Sequence, residues 1–210
     1  MKPLPNEIAF LQLGPGRVAV GEGPFTSVAE PPDSASAFYW NDFDLSDPTP
    51  WKVPKTFIVA PRLAPFEGEA RPEIEWQAPA KAAFAEAFHA ISAAFKNGAK
   101  LEKLVPIVTE PGLLRSGDLR ALARQALSHA DDRTQAYGRW DASSGLIGLT
   151  PERLLTISGG LLETMALAGT AAPADAERFR TDPKQIREHA LVVEGIRRAL
   201  GGSVREDARE

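Results

Sequence analysis

Four short segments of this 210-residue sequence each set a reactive or a small residue beside an apolar stretch or a turn. They are LEKLVPIV (101–108) around Lys103, GLTPERLL (148–155) around Glu152, ETMALAGTA (163–171) with Ala168, Gly169 and Thr170, and DPKQIREHALVV (182–193) with Glu188 and His189. Other chemistries fall away quickly. The chain has no Cys, which removes thiol nucleophiles, thiolate metal sites and disulfides. His89, His129 and His189 show no paired spacing, so zinc is not expected. Gly14-Pro15-Gly16 leads into neither GK[ST] nor GxGxxG, and there is no GxSxG elbow.

Each segment alone also has a bland reading. Lys103 at a strand start is commonly a solvated edge guard. Glu152 after Thr-Pro fits a plain turn. Glu188 sits one turn from Val192 beside an apolar stripe, and His189 falls on that stripe, where packing is the simpler role. LAGT on its own fits a tight exit from a strand.

Taken together and in this order, the segments resemble the family of enzymes that act on chorismate: isochorismate synthase, salicylate synthase, anthranilate synthase component I and aminodeoxychorismate synthase. The stretch 98–105 looks like the family's G-x-L-x-K-[VIL]-V. Thr150-Pro151-Glu152 looks like its T/S-P-E, Leu167 to Thr170 like its L-A-G-T turn, and Asp182 to His189 like its D-x-K-x-x-x-E-H helix start. The resemblance covers roughly residues 80–200 and is nearest the isochorismate synthase branch. It implies an isomerase that adds water at C2 of chorismate while the C4 hydroxyl leaves, for menaquinone or siderophore biosynthesis. Lys103 would then be the general base and Glu152 the acid for the leaving hydroxyl. Glu188 would be a carboxylate ligand of Mg²⁺. Ala168, Gly169 and Thr170 would line the ring pocket.

Two positions separate the branches. Ammonia-using relatives typically carry Gln where Lys103 stands. The aminodeoxychorismate branch typically carries Lys where Ala168 stands. Salicylate synthase shares both Lys103 and Ala168, and anthranilate synthase component I shares Ala168. The family's strand after the lysine usually ends in Arg, which Pro106-Ile107-Val108 does not supply.

The assignment makes a physical demand. A free lysine, with a pKa near ~10.4, is neutral in only about a thousandth of molecules at neutral pH, whereas a base works unprotonated. The acid must conversely keep its proton. Contact between the two would favour the wrong charge on both, so Lys103 and Glu152 are expected not to pair.

The elements that would carry these residues are read from periodicity. EIAFLQLGPGRVAV (7–20) predicts a β-hairpin. The Pro- and Ser-rich stretch 24–54 predicts irregular chain, with Phe38, Tyr39, Trp40 and Phe43 as core anchors. TFIVA (56–60) predicts a strand. Phe84, Phe88, Ile91 and Phe95 mark one face of a helix over 79–97, ended by Asn97-Gly98. A strand is expected at 101–108, with Pro106 placing it at an edge or bulge, and a helix capped by Ser116 over 117–129. An antiparallel meander is expected over 134–166, turning at Asp141–Ser144 and Gly159-Gly160. Asp182-Pro183 opens a helix over 183–200 with a stripe of Ile186, His189, Val193, Ile196 and Leu200. The polar tail after it is expected to fray.

The fold class expected is α+β, an antiparallel meander flanked by helices. Residues 1–78 form a β/loop lobe and 79–210 the first half of a chorismate-binding catalytic domain. By the resemblance that domain is incomplete at the C-terminus, since further strands and a second Mg²⁺ carboxylate would follow. The expected consequences are a C-terminal half supplied by another chain, a C-terminal half missing from this sequence, or a non-catalytic remnant. Net charge of -4 without a basic run predicts no nucleic-acid partner. No apolar run predicts a membrane span or leader, and a cytoplasmic location is expected.

Overall fold

A computed structural model describes residues 7–201 except 15, 67–70, 99 and 101. Pro15 of the predicted turn, Leu101 and the polar tail lie outside the described residues. The chain divides into two compact units, the first made of residues 1–75 and 113–152, the second of 76–112 and 153–210.

The first unit is built on an antiparallel sheet. The predicted hairpin is β1 (Ile8–Gln12) and β2 (Arg17–Val28), closed where the Leu13 N–H donates to the Arg17 carbonyl at 3.0 Å. β2 runs further than its apolar pattern suggested, because it pairs along the whole of a second long strand. A bulge between Glu22 and Phe25 falls at Pro24, which has no N–H for the ladder. A two-residue strand, β3 (Phe38–Tyr39), pairs with β4 (Trp51–Pro61), so the sequence expected to be irregular shrinks at both ends. Of the predicted anchors, Phe38 and Trp40 pack edge-on against Phe25 and Tyr39 against Trp51, at ring separations of 6.3, 5.4 and 5.0 Å. Phe43 does not: its side chain is fully exposed. β5 (Glu73–Trp76) precedes α1 (Lys81–Lys96), and β5 pairs with β6 (Gly112–Ser116), where Arg115 meets Glu75 at 2.6 Å.

α2 (Leu119–His129) is capped by Asp118, which accepts from the Arg120 N–H at 2.9 Å. The expected cap, Ser116, instead ends β6 and donates its hydroxyl to Glu73. β7 (Gln135–Trp140) and β8 (Gly145–Thr150) complete a six-stranded order β3-β4-β2-β1-β7-β8. Their turn is the predicted one, with Asp141 accepting from the Ser143 and Ser144 N–H groups. Ile8 and Phe10 of β1 and Val18 and Val20 of β2 meet Ala123 and Leu127, one turn apart on α2, and Phe66. Phe10, Phe66 and Trp140 form an aromatic triangle with ring separations of 5.0, 6.1 and 6.3 Å. Gln12, buried at the end of β1, accepts from the Ala136 N–H, so its amide oxygen extends the ladder to β7.

The second unit is different in kind. α1 has the predicted position and Gly98 the predicted left-handed stop, at φ +73°. Yet none of the helix is buried, and Phe88 and Phe95 are 51% and 39% exposed. Residues 102–111 form no strand, against expectation: a strand needs a laddered neighbour, and no described residue supplies one. The 134–166 meander is also split. β9 (Thr156–Ser158) and β10 (Leu161–Glu163) pair only with each other, while β7 and β8 belong to the larger sheet. The short α3 (Ala176–Thr181) leads into α4 (Pro183–Leu200), which has the predicted bounds and the predicted Asp182 cap on the Lys184 N–H at 2.8 Å. The more covered face of α4 is rotated from the predicted stripe. Gln185, Glu188, Val192, Val193 and Ile196 are partly covered, and Ile186, His189 and Leu200 are exposed.

Candidate active site

Two of the four segments, 101–108 and 163–171, reach the first half of α4, which carries a third. Lys103 Nζ stands 3.2 Å from Glu188 Oε1, both side chains about a third exposed. One residue earlier on each side, Glu102 and Arg187 pair at 2.5 Å, and Arg187 also reaches Glu194 at 3.6 Å. Consecutive residues of the 102–103 segment thus grip consecutive residues of α4 with alternating charge. A third tie is the contact of His189 Nε2 with the Ala166 carbonyl at 3.3 Å, which fits the imidazole as donor.

The Ala168–Thr170 turn reaches the same helix. Gly169 has φ +78°, and a Cβ there would stand 2.6 Å from Gln185 Oε1 and 2.6 Å from Phe179 Cζ. Glycine is therefore demanded by the chain's own approach to α3 and α4, independently of any ligand. Ala168 is partly covered, and Gly169 and Thr170 are exposed. Upstream, the segment is aligned by the Thr164 hydroxyl donating to the Leu154 carbonyl at 2.6 Å and the Arg153 N–H approaching Met165 Sδ at 3.0 Å.

Glu152 belongs to the first unit, just past β8. Its N–H donates to Thr150 Oγ1 at 3.1 Å, an ST-turn that fixes the backbone and leaves the side chain exposed. Lys103 finds its ionic partner in Glu188, a pairing not read from sequence. Glu102, Arg187, Gln185 and Phe179 were also missed. The available signal was the pair of opposite charges flanking Lys103 and Glu188 in their segments.

Among the described residues, no three His, Cys, Asp or Glu side chains come together as a metal site. Glu188 is one hard oxygen donor of the kind Mg²⁺ takes, already balanced by an ammonium group. The donor set of these residues alone does not fit a protein-held Mg²⁺. An open cavity of about 240 Å³ in the second unit is lined by Ala80, Ala83, Phe84, Ala87, Ile107, Val108 and Thr109. It has no ionisable group and does not coincide with the residues above.

Residues 31–208 match the family model described as chorismate binding enzyme. No curated protein and no solved structure matches the chain. No described helix is long and apolar enough to cross a membrane.

Proposed function

The chain belongs to the chorismate-binding enzyme family, and from that premise we propose that it is of the isochorismate synthase type, with chorismate as substrate and water as nucleophile. The observation that carries this reading is the gathering of Lys103, Glu188 and the Gly169 turn on one half of α4. In the proposed reaction Lys103 takes a proton from the water that adds at C2, and Glu152 gives one to the departing C4 hydroxyl. An ammonium–carboxylate pair is a contact between charged forms, so Lys103 has to leave Glu188 before it acts as a base. Ala168, Gly169 and Thr170 border the ring.

Mg²⁺ is the proposed cofactor, with Glu188 contributing one oxygen. Its chemistry would be to neutralise the ring carboxylate of the substrate, and the described residues alone do not hold it. The remaining donors would come from the substrate and from groups outside the described residues. Menaquinone or siderophore biosynthesis is the proposed use of the product. A non-catalytic, chorismate-binding remnant is the second reading, favoured by the same engagement of Glu188 with Lys103.

The deciding experiment incubates the purified chain with chorismate and Mg²⁺, with and without a supplied C-terminal half of the domain, and separates the products by chromatography. Isochorismate is expected, with Lys103→Ala and Glu152→Gln each lowering turnover about a hundredfold or more. Salicylate or anthranilate would move the chain to a neighbouring branch. Turnover that survives both substitutions would remove the proposed base and acid. Chorismate binding without turnover even with that half supplied would establish the remnant.

A further inference from the structure

We propose that Arg187 is a positioning residue for Lys103: by holding Glu102 it keeps the 102–103 segment on α4 while Lys103 is away from Glu188. The inference rests on the reading of Lys103 as the base and deepens it. In that reading the lysine leaves a carboxylate that stands 3.2 Å from it. Its departure also removes one of the ties on its own segment. Residues 102–111 belong to no helix or strand, so no ladder holds them. Val105 and Ile107, just past the lysine, are 65% and 80% exposed, so apolar packing does not fix the chain there. Keeping Lys103 within reach of a reacting atom then falls to the neighbouring rung.

That rung suits the role. Arg187 Nη2 lies 2.5 Å from Glu102 Oε1, closer than Lys103 lies to Glu188. Its Nη1 lies 3.6 Å from Glu194 Oε1, about two turns further along α4. The guanidinium is thus tied to its own helix and to the segment at once. It has five donors in a rigid fork and carries its charge permanently, so it can serve both carboxylates. Neither tie involves Lys103 or Glu188, and both persist when that pair parts. Residues 187 and 188 diverge by about 100° around the helix. A segment whose adjacent side chains reach both sits astride α4, and holding Glu102 limits how far Lys103 can swing.

The chain has no cysteine, so spin labels can be placed at chosen sites. Nitroxides at Val105→Cys and Arg198→Cys report, by pulsed electron resonance, the distance from the segment to the last turn of α4. Lys103→Met stands in for the released lysine. With that change alone the distance distribution should stay narrow. Adding Arg187→Glu should raise the displaced fraction about two- to fivefold, the worth of an exposed pair, with unchanged circular dichroism. Adding Glu102→Arg as well should restore the narrow distribution, which a role of Arg187 confined to its own helix would not do.

A distribution broadened as much by Lys103→Met alone would overturn the proposal, because the lysine would then hold its own segment. So would a distribution that Arg187→Glu leaves unmoved, or one that Glu102→Arg fails to restore. In the turnover assay, with Lys103 present, Arg187→Glu should lower kcat with KM little changed, and Glu102→Arg should recover it; a rise in KM alone would also count against the proposal. Failure of the base reading is seen separately, as turnover that survives Lys103→Ala while the distances behave as stated.

Discussion

Replacing Gly169 by Ala tests whether the turn is dictated by the packing of the chain against itself. The left-handed backbone at φ +78° costs an L residue about 1–2 kcal/mol. The added methyl would also stand 2.6 Å from Phe179 Cζ, 3.0 Å from Phe179 Cε2 and 2.6 Å from Gln185 Oε1. The amide can swing away cheaply, whereas the ring is carried by α3 and must shift with it, for about 1–3 kcal/mol of overpacking. The sum, about 2–5 kcal/mol, falls on α3 and the start of α4. The core lies in the other unit, so a global melting curve is a poor monitor. Hydrogen exchange of peptides covering 173–192 is the suitable assay. Amides now protected there should exchange at least about tenfold faster, since 1.4 kcal/mol is a factor of ten. Adding Gln185→Ala should recover only a minor part, because the backbone strain and the ring contact persist. Unchanged exchange in Gly169→Ala would refute the reasoning and return the glycine to a role in ligand access.

Phe66→Ala, at a fully buried site in the aromatic triangle, should lower first-unit stability by about 3–5 kcal/mol in urea unfolding; a loss under 1 kcal/mol would mean the site collapses around the deletion. The Asp131 and Asp141 carboxyls are held below the ordinary range, the first chiefly by the Thr134 hydroxyl and the second by the Ser143 hydroxyl. A depressed folded value gives stability that is present above the unfolded value near ~3.9 and lost as pH falls through the folded one. The urea midpoint should thus be level above about pH 5 and decline below about pH 4, with a shallower decline in Asp141→Asn; equal slopes would remove Asp141 from the account. A double-mutant cycle of Lys103→Met and Glu188→Gln, read by hydrogen exchange in α4, should give a coupling of about 0.5–1 kcal/mol that shrinks in high salt. Zero coupling at low salt would mean the pair contributes nothing.

What could be read from the sequence follows the range of the forces involved. The β1–β2 hairpin, the Asp141 turn and α4 with its Asp182 cap are set by neighbours within a few residues, and they stand where expected. The misread parts depend on distant partners. The largely apolar run 101–108 looked like a strand, but nothing described pairs with it. Ser116 and Asp118 are both good caps, and the choice fell to Asp118 because Ser116 is engaged with Glu73 across the β5–β6 ladder. The covered face of α4 turned toward Gln185 and Glu188 because polar ties, not apolar burial, decide what lies against it. At the site, the segments were visible as motifs, but the pairing of Lys103 with Glu188 joins residues far apart in the chain. Only the three-dimensional structure supplies that contact.

That mode of attachment bears on catalysis. α4 holds the site by two ion-pair rungs, one His189–carbonyl contact and one tight glycine turn, on a unit with no buried described residue. Exposed ion pairs contribute about 0.2–1 kcal/mol each, and such contacts open locally long before a packed core does. Proton transfer asks for placement to within about 0.5 Å, which ordinarily comes from side chains locked by packing. The residues of the proposed site on α4 are thus lightly held. Covering the apolar surface of the second unit should then slow exchange in α4 as well as at the covered strands. If α4 gained no protection when that surface was covered, its polar ties would already be sufficient and the link between cover and site would fail.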